Sequence, residues 1–169
     1  MIFTQKHIKE ARMVSIQAHG NQTYDDIFPY KKHLDDVVDV LKRFGYAGKY
    51  LVAGYLHDII EDTSLSYNKV KRHYGFEVAE MVYCVTDELG RNREEKKAKT
   101  LPKTASNPDA IILKLADRIA NIEHGGKVDM YAKEYNQFKG ALYLNTPNGA
   151  AAMWNHLEVL LKIEREEVA

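Results

Sequence analysis

The 169-residue chain contains a single cysteine, Cys84. One thiol excludes a disulfide within the chain and any cysteine-built zinc cluster. It lies in the apolar run Met81-Val82-Tyr83-Cys84-Val85, which predicts a buried, inert thiol. An excess of either charge is also lacking, since 24 Lys and Arg residues balance 24 Asp and Glu residues. Such a chain presents no overall electrostatic footprint for nucleic acid or an acidic membrane. No uninterrupted apolar stretch approaches the roughly 20 residues that span a bilayer. No charged-then-apolar signal segment opens the chain. The expectation is a cytoplasmic protein with neither a nucleic-acid nor a membrane partner. Strand-like alternation, repeats and low-complexity tracts are missing as well, and nothing sets an oligomeric state.

What is present is helical periodicity. The length suits one domain, spanning 1–169, with a motif-bearing core over about 5–145 and a C-terminal helix over about 146–167. Thr4 caps a first helix with Ile8, Ala11, Val14 and Ala18 inward, ending near Gly20, and a loop follows to Pro29. The second helix carries His33, Leu34, Val37, Val38 and Leu41, and Gly45 stops it. The third starts near Ala47 and runs on through "LHDIIEDT" (56–63). Residues 64–75 predict a short helix closed by Gly75, and Phe76 to Asp87 another. "GRNREEKKAKT" (90–100) has no apolar face and reads as a solvated helix or connector. An apolar helix begins at Asp109 and stops at Gly125-Gly126; one over about 129–144 and one from Thr146-Pro147 complete an all-α fold.

Polar groups inside apolar helices carry the chemistry. Residues three and four apart share a helix face, so His57, Asp58, Glu61 and Asp62 project one imidazole and three carboxylates to one side. Three carboxylates held together repel and favour protonation unless a cation joins them. An exposed, solvated helix end is the plain alternative. His33, one turn before Val37 on an apolar face, reads alone as a core histidine. Asp117 sits between Leu113, Leu115, Ala116 and Ile119, Ala120, Ile122, where an unpaired carboxylate is costly. Its plain reading is a salt bridge to Arg118 or Lys114. Taken together, two His and two Asp from three helices form a metal-ligand set of the kind built into helical cores.

The pattern resembles the HD metal-dependent phosphohydrolase superfamily, and within it the alarmone hydrolase branch of RelA/SpoT-type hydrolase domains and small stand-alone (p)ppGpp hydrolases. "PYKKH" (29–33), "LHDIIEDT" (56–63), "VTDE" (85–88) and "KLADRIANI" (114–122) carry the resemblance, in the family's order. It implies that His33, His57, Asp58 and Asp117 bind one divalent metal, typically Mn²⁺. Glu61 and Asp62 then orient and deprotonate the attacking water. Asn121 is implied at the substrate's ribose or phosphate, Arg93 near substrate phosphate, and Tyr135 as an aromatic lining the pocket. The family's first motif usually has an Arg-Lys pair before Pro-Tyr, where this chain reads "HGNQTYDDIFPY" (19–30). Its usual basic continuation after the Asn is replaced by "NIEHGG" (121–126). Two alternatives follow for the loop: Tyr24 stacks on a base instead, or the substrate is not ppGpp.

The expected activity is removal of the 3′ diphosphate from ppGpp or pppGpp, a small-molecule nucleotide substrate. The alternatives are an HD phosphohydrolase acting on an NADPH 2′-phosphate, a 3′-nucleotide or a nucleoside monophosphate, and a non-catalytic nucleotide-binding HD module.

Overall fold

The computed structural model describes residues 2–163. Among these the architecture is all-α, apart from a small two-stranded hairpin. In chain order the elements are α1 (Gln5–His19), β1 (Thr23–Tyr24), β2 (Phe28–Pro29), α2 (Lys31–Arg43), α3 (Lys49–Leu56) and α4 (Ile59–Asp62). They continue with α5 (Tyr67–Val85), α6 (Arg93–Ala105), α7 (Pro108–Glu123), α8 (Val128–Leu142) and α9 (Ala151–Leu160). No helix among the described residues is long and apolar enough to cross a membrane.

The core is organised around α7. The Asn107 side chain accepts hydrogen bonds from the backbone N–H groups of Asp109 and Ala110, and Pro108 opens the helix. Ile111, Leu113, Leu115 and Ile119 are fully buried on it, each worth roughly 1.5–3 kcal/mol of transfer from water. Helices α2, α3, α5, α6, α8 and α9 all pack against this axis. That ring of apolar contact holds in place a helix bearing a carboxylate at its middle, Asp117. α1 covers α3 and is tied to α2 by a two-pronged bond from Arg12 to Asp35, both prongs 2.7 Å.

Several local expectations hold. Thr4 is the N-cap of α1, its backbone N–H donating to His7 Nδ1 at 3.0 Å. Gly75 (φ 85, ψ 171) breaks α5 into two helical pieces, as its left-handed backbone requires. Cys84 is buried, and burial pushes its thiol pKa up.

Others are corrected. Residues 21–29 are not an irregular loop: β1 and β2 pair in an antiparallel hairpin with Tyr24 opposite Phe28. Two-residue strands are too short to show alternation in a sequence. Val14 is exposed rather than inward. The third helix does not run through 56–63; it ends at His57, Asp58 takes a non-helical backbone (φ −100, ψ 1), and α4 starts afresh. Residues 90–100 lead into α6, which buries Lys97, Thr100, Leu101 and Thr104. Its inner face is made of threonine methyls and a lysine stem, so apolar periodicity does not mark it. The last helix begins at Ala151 after two short 3-10 turns, not at Thr146. The predicted stretch beyond 163 lies outside the described residues.

Gly54 is where α3 and α2 come closest. A Cβ there would stand 2.8 Å from Leu41 Cδ1 and 3.0 Å from Val38 Cγ2. Both neighbours are fully buried and have no room to retreat. Gly54→Ala gains about 0.5–1 kcal/mol of helix propensity, which the roughly 1–3 kcal/mol of overpacking exceeds. The variant should be less stable than the natural chain in urea unfolding with a chelator present; equal or greater stability would show that the helices can separate cheaply.

Candidate functional site

Three helical segments deliver four side chains to one point. His33 projects from the first turn of α2, His57 and Asp58 from the break between α3 and α4, and Asp117 from the middle of α7. The break matters because it swings the Asp58 carboxylate back beside its neighbour's ring. Asp58 Oδ2 lies 2.9 Å from His57 Nε2 and 3.8 Å from His33 Nε2. Asp117 Oδ1 lies 3.3 Å from His33 Nε2 and 3.8 Å from His57 Nε2. The two imidazole Nε2 atoms are themselves 3.2 Å apart. Both histidines are nearly sealed from solvent, at 3% and 2% exposure.

This donor set fits a divalent metal ion. Ligand atoms about 2.1 Å from one ion and at right angles to each other stand about 3 Å apart; His33, His57 and Asp58 each offer an atom within 4.8 Å of the others, and Asp117 stands 3.3 Å from His33. His57 Nδ1 lies 2.8 Å from the Gly54 carbonyl and donates to it. That bond fixes the tautomer and leaves the Nε2 lone pair free. Two imidazole nitrogens facing each other in a dry pocket beside two carboxylates is an arrangement that a shared cation explains.

A second layer holds the carboxylates. The Tyr30 hydroxyl donates to Asp58 Oδ2. Asn121 Nδ2 donates to Asp117 Oδ1 at 2.7 Å, and Tyr24 donates its hydroxyl to Asn121 Oδ1 at 2.8 Å. Lys114 stands 3.7 Å from Asp117 Oδ2, so the salt bridge considered for Asp117 exists at long range beside the histidine contacts. Burial alone would raise the pKa of both carboxyls. For Asp58 the neighbouring His57 overrides it, and for Asp117 the hydrogen bond to His33 and the charge of Lys114 do, holding both below their ordinary range.

Beside this cluster opens a cavity of about 330 Å³. Arg93, Lys97, Lys114, Arg118 and Lys127 line it, with Asp25, Asp58, Glu61, Asp87 and Asp117 among them. Glu61 faces this space and accepts a hydrogen bond from the Asp87 backbone N–H at 2.9 Å. Burial pushes the Glu61 pKa up, the Asp87 bond pulls it back, and the charge of Asp58 raises it further. Asp62 turns elsewhere, accepting from Gln22 Nε2 at 2.8 Å, and Gln22 in turn meets His19 Nδ1 at 2.8 Å.

The remaining expected residues divide. Arg93 lines the cavity while its guanidinium forks onto Glu134. Asn121 is there too, its side chain already engaged with Asp117 and Tyr24. Tyr24 lines the space but its ring is covered, with His33 at 4.8 Å on one side and His124 at 4.6 Å on the other. Tyr135 is not brought to the cavity; it is buried and donates to Glu158 of α9. Tyr131, one turn earlier, is the lining tyrosine of α8. Sequence reasoning also passed over Tyr30 and the cations Lys97, Lys114 and Arg118 as site residues. Helical spacing contained the signal for three of them: Lys97 is four residues after Arg93, Lys114 three before Asp117, and Arg118 three before Asn121.

The HD domain family profile matches residues 11–144, and the chain belongs to that family. Over 123 residues, 70% of this chain, it is 32% identical to the guanosine-3′,5′-bis(diphosphate) 3′-pyrophosphohydrolase of Aquifex aeolicus. It is also 32% identical, over 73% of its length, to the bifunctional (p)ppGpp synthase/hydrolase SpoT of Escherichia coli. The chain spans about a fifth of the length of these curated relatives, the matched part being 18% of each. Its fold is similar to that of a metazoan ortholog of SpoT that hydrolyzes ppGpp and plays a role in starvation responses. That match has a TM-score of 0.74, covers 96% of this chain and 97% of that one, and has 20% identity.

The cluster makes metal affinity depend on pH. Burial opposes a charge on His57, but Asp58 and then Asp117 outweigh it and raise the pKa from 6.5 to about 9. A raised histidine pKa stabilises the protonated fold, a contribution complete below about 6.5 and lost as pH rises through about 9. A metal ion needs the neutral ring and competes with that proton. Apparent affinity for a divalent cation should therefore rise as pH climbs toward about 9, by up to about tenfold per pH unit for one displaced proton, and then level off. Calorimetric titrations across that window check this, and a flat profile would contradict it.

Proposed function

We propose that the chain is a metal-dependent phosphohydrolase that removes the 3′ diphosphate of ppGpp or pppGpp. The observation that carries this reading is the convergence of His33, His57, Asp58 and Asp117 beside a cavity whose lining includes five cations. The 32% identity to named ppGpp 3′-pyrophosphohydrolases over most of the chain supports the choice of substrate. Mn²⁺ as the ion and the cytoplasm as the compartment belong to the same reading.

In this mechanism His33, His57, Asp58 and Asp117 hold the ion. When bound, it supplies Lewis acidity toward a phosphate oxygen and toward water. Glu61 is the base. Its carboxylate faces the cavity, and its raised pKa brings it nearer to neutral working pH. It takes the proton from water as the water oxygen adds to the phosphorus next to the ribose 3′ oxygen. The bond to that oxygen breaks, a proton reaches it, and free diphosphate leaves. Asp62, held by Gln22, fixes the turn that presents Glu61. Lys97, Lys114, Arg118 and Arg93 neutralise charge that builds on the phosphate oxygens.

A second reading has a specific observation behind it. The loop in which the resembling branch has an Arg-Lys pair reads Thr23-Tyr24-Asp25-Asp26 here, and neither face of Tyr24 is open to a purine. A different phosphorylated nucleotide would use the same metal and base.

Turnover of ppGpp, pppGpp, NADPH and nucleoside monophosphates with Mn²⁺ separates the two readings. Asp117→Ala should abolish turnover of whichever substrate is cleaved. Glu61→Ala should retain metal binding while losing roughly 10²–10⁴-fold in kcat. Full activity in Asp117→Ala would remove the metal assignment, and no cleavage of any member by the natural chain would remove catalysis.

A further inference from the structure

The two histidines of the cluster are held in different ways. His57 is anchored through Nδ1 to a backbone carbonyl. His33 Nδ1 is buried and has no hydrogen-bond partner. A metal-binding histidine almost always donates its second ring nitrogen to a carboxylate, carbonyl or water, which sets the ring's orientation. No protein group hydrogen-bonds His33 Nδ1, so contacts on the ring itself are what the chain offers to orient it.

Packing supplies them. The Tyr24 ring lies parallel to His33, with centroids 4.8 Å apart and planes 23° from coplanar. Tyr30 meets the same imidazole edge-on at 5.7 Å. Tyr24 is itself clamped. Its far face meets His124 at 4.6 Å, and His124 Nε2 stands 3.2 Å from Asp25 Oδ2. The hairpin turn that presents it places Asp25 and Asp26 at φ 50 and φ 59, a left-handed pair that Asp tolerates better than bulky residues. The hydroxyl end of Tyr24 reaches a second ligand, donating to Asn121, whose amide holds Asp117. With 7% exposure, Tyr24 presents little surface for anything to stack upon.

We propose that Tyr24 is a positioning residue of the metal centre: its ring orients His33 by stacking, and its hydroxyl orients Asp117 through Asn121. This replaces the expectation that Tyr24 is a platform for the substrate's base, and it rests on the reading of the cluster as a metal centre. The hairpin that in the resembling branch reaches toward substrate is, in this chain, part of the scaffold behind the ligands.

The test is calorimetric binding of Mn²⁺ to the metal-stripped full chain and its variants, with melting temperatures measured in chelator. Tyr24→Leu removes both contacts and should weaken Mn²⁺ binding roughly ten- to a hundredfold; its melting temperature in chelator should also fall, so its affinity is read only at temperatures where it is folded. Tyr24→Phe keeps the stack and loses the hydroxyl, so its loss should be smaller and comparable to that of Asn121→Ala. Excess Mn²⁺ should restore most of the kcat of Tyr24→Phe with KM for the cleaved nucleotide unchanged. If Tyr24→Leu fails to fold, the Phe variant and its coupling to Asn121→Ala decide. Unchanged Mn²⁺ affinity in the folded variants, with KM raised and kcat kept, would overturn the proposal in favour of a substrate platform. Absence of Mn²⁺ binding by the natural chain would instead overturn the metal-centre reading.

Discussion

Two carboxylates and two buried imidazoles brought together at the edge of a cavity form the constraint on which the rest of the structure depends. Asp58 and Asp117 repel each other there, and burial penalises their charges further. Without a cation, the conflict is relieved by a proton on His57, whose raised pKa records the field of both acids. Either way a positive charge must enter. The fold supplies the rigidity that keeps four donors converging despite this cost. α7 is packed on many sides, α3 and α2 touch closely at Gly54, and at the helix break the Asp58 carboxylate lies 2.9 Å from His57 Nε2.

The cavity beside the cluster has a second electrostatic character. Most of its cations are already paired. Lys97 lies 2.9 Å from Asp87, and Arg93 and Arg118 share Glu134. Arg118 is nearly buried, lies over the Phe138 and Tyr131 rings, and keeps one guanidinium nitrogen, Nη1, without a partner. An arriving phosphate would compete with these carboxylates rather than meet bare charge. Prepaired cations of this kind sit in fixed geometry, so less side-chain entropy is lost on binding. The carboxylates that share the lining keep these cations from repelling one another.

How much of this was legible in the sequence follows from which physics leaves a one-dimensional trace. The four donors were legible because each interrupts an apolar helical face, as Asp117 does between Leu115 and Ile119. The helices were legible for the same reason. The break at Asp58 was not: Leu, His, Asp and Ile are all compatible with a continuing helix, and tertiary contact decides the backbone there. The inner face of α6 was hidden because Thr100, Thr104 and the stem of Lys97 do apolar work with polar names. Tyr135 and Tyr131 are one turn apart on α8 and alike in type, so only packing against Glu158 shows which turns away from the cavity.

The hairpin shows how a recognition loop and a ligand scaffold trade places within one fold. A flexible pair of cations at its tip would reach outward, needing solvent around it and freedom to meet a phosphate. An aromatic ring at that position gains more by turning inward, where it buries on the order of 150–250 Å² and finds His33 and Asn121. Asp25 then closes onto His124, and the side of the cavity nearest the hairpin carries a carboxylate where the resembling branch has cations. Attraction for phosphate is thereby concentrated on α6 and α7, through Arg93, Lys97, Lys114 and Arg118. On the proposed reading, the phosphates of a substrate are drawn to that helical wall and its base is left at the hairpin side. The helices thus carry the four donors and most of the cavity's cations, while the hairpin contributes an aromatic residue that faces inward.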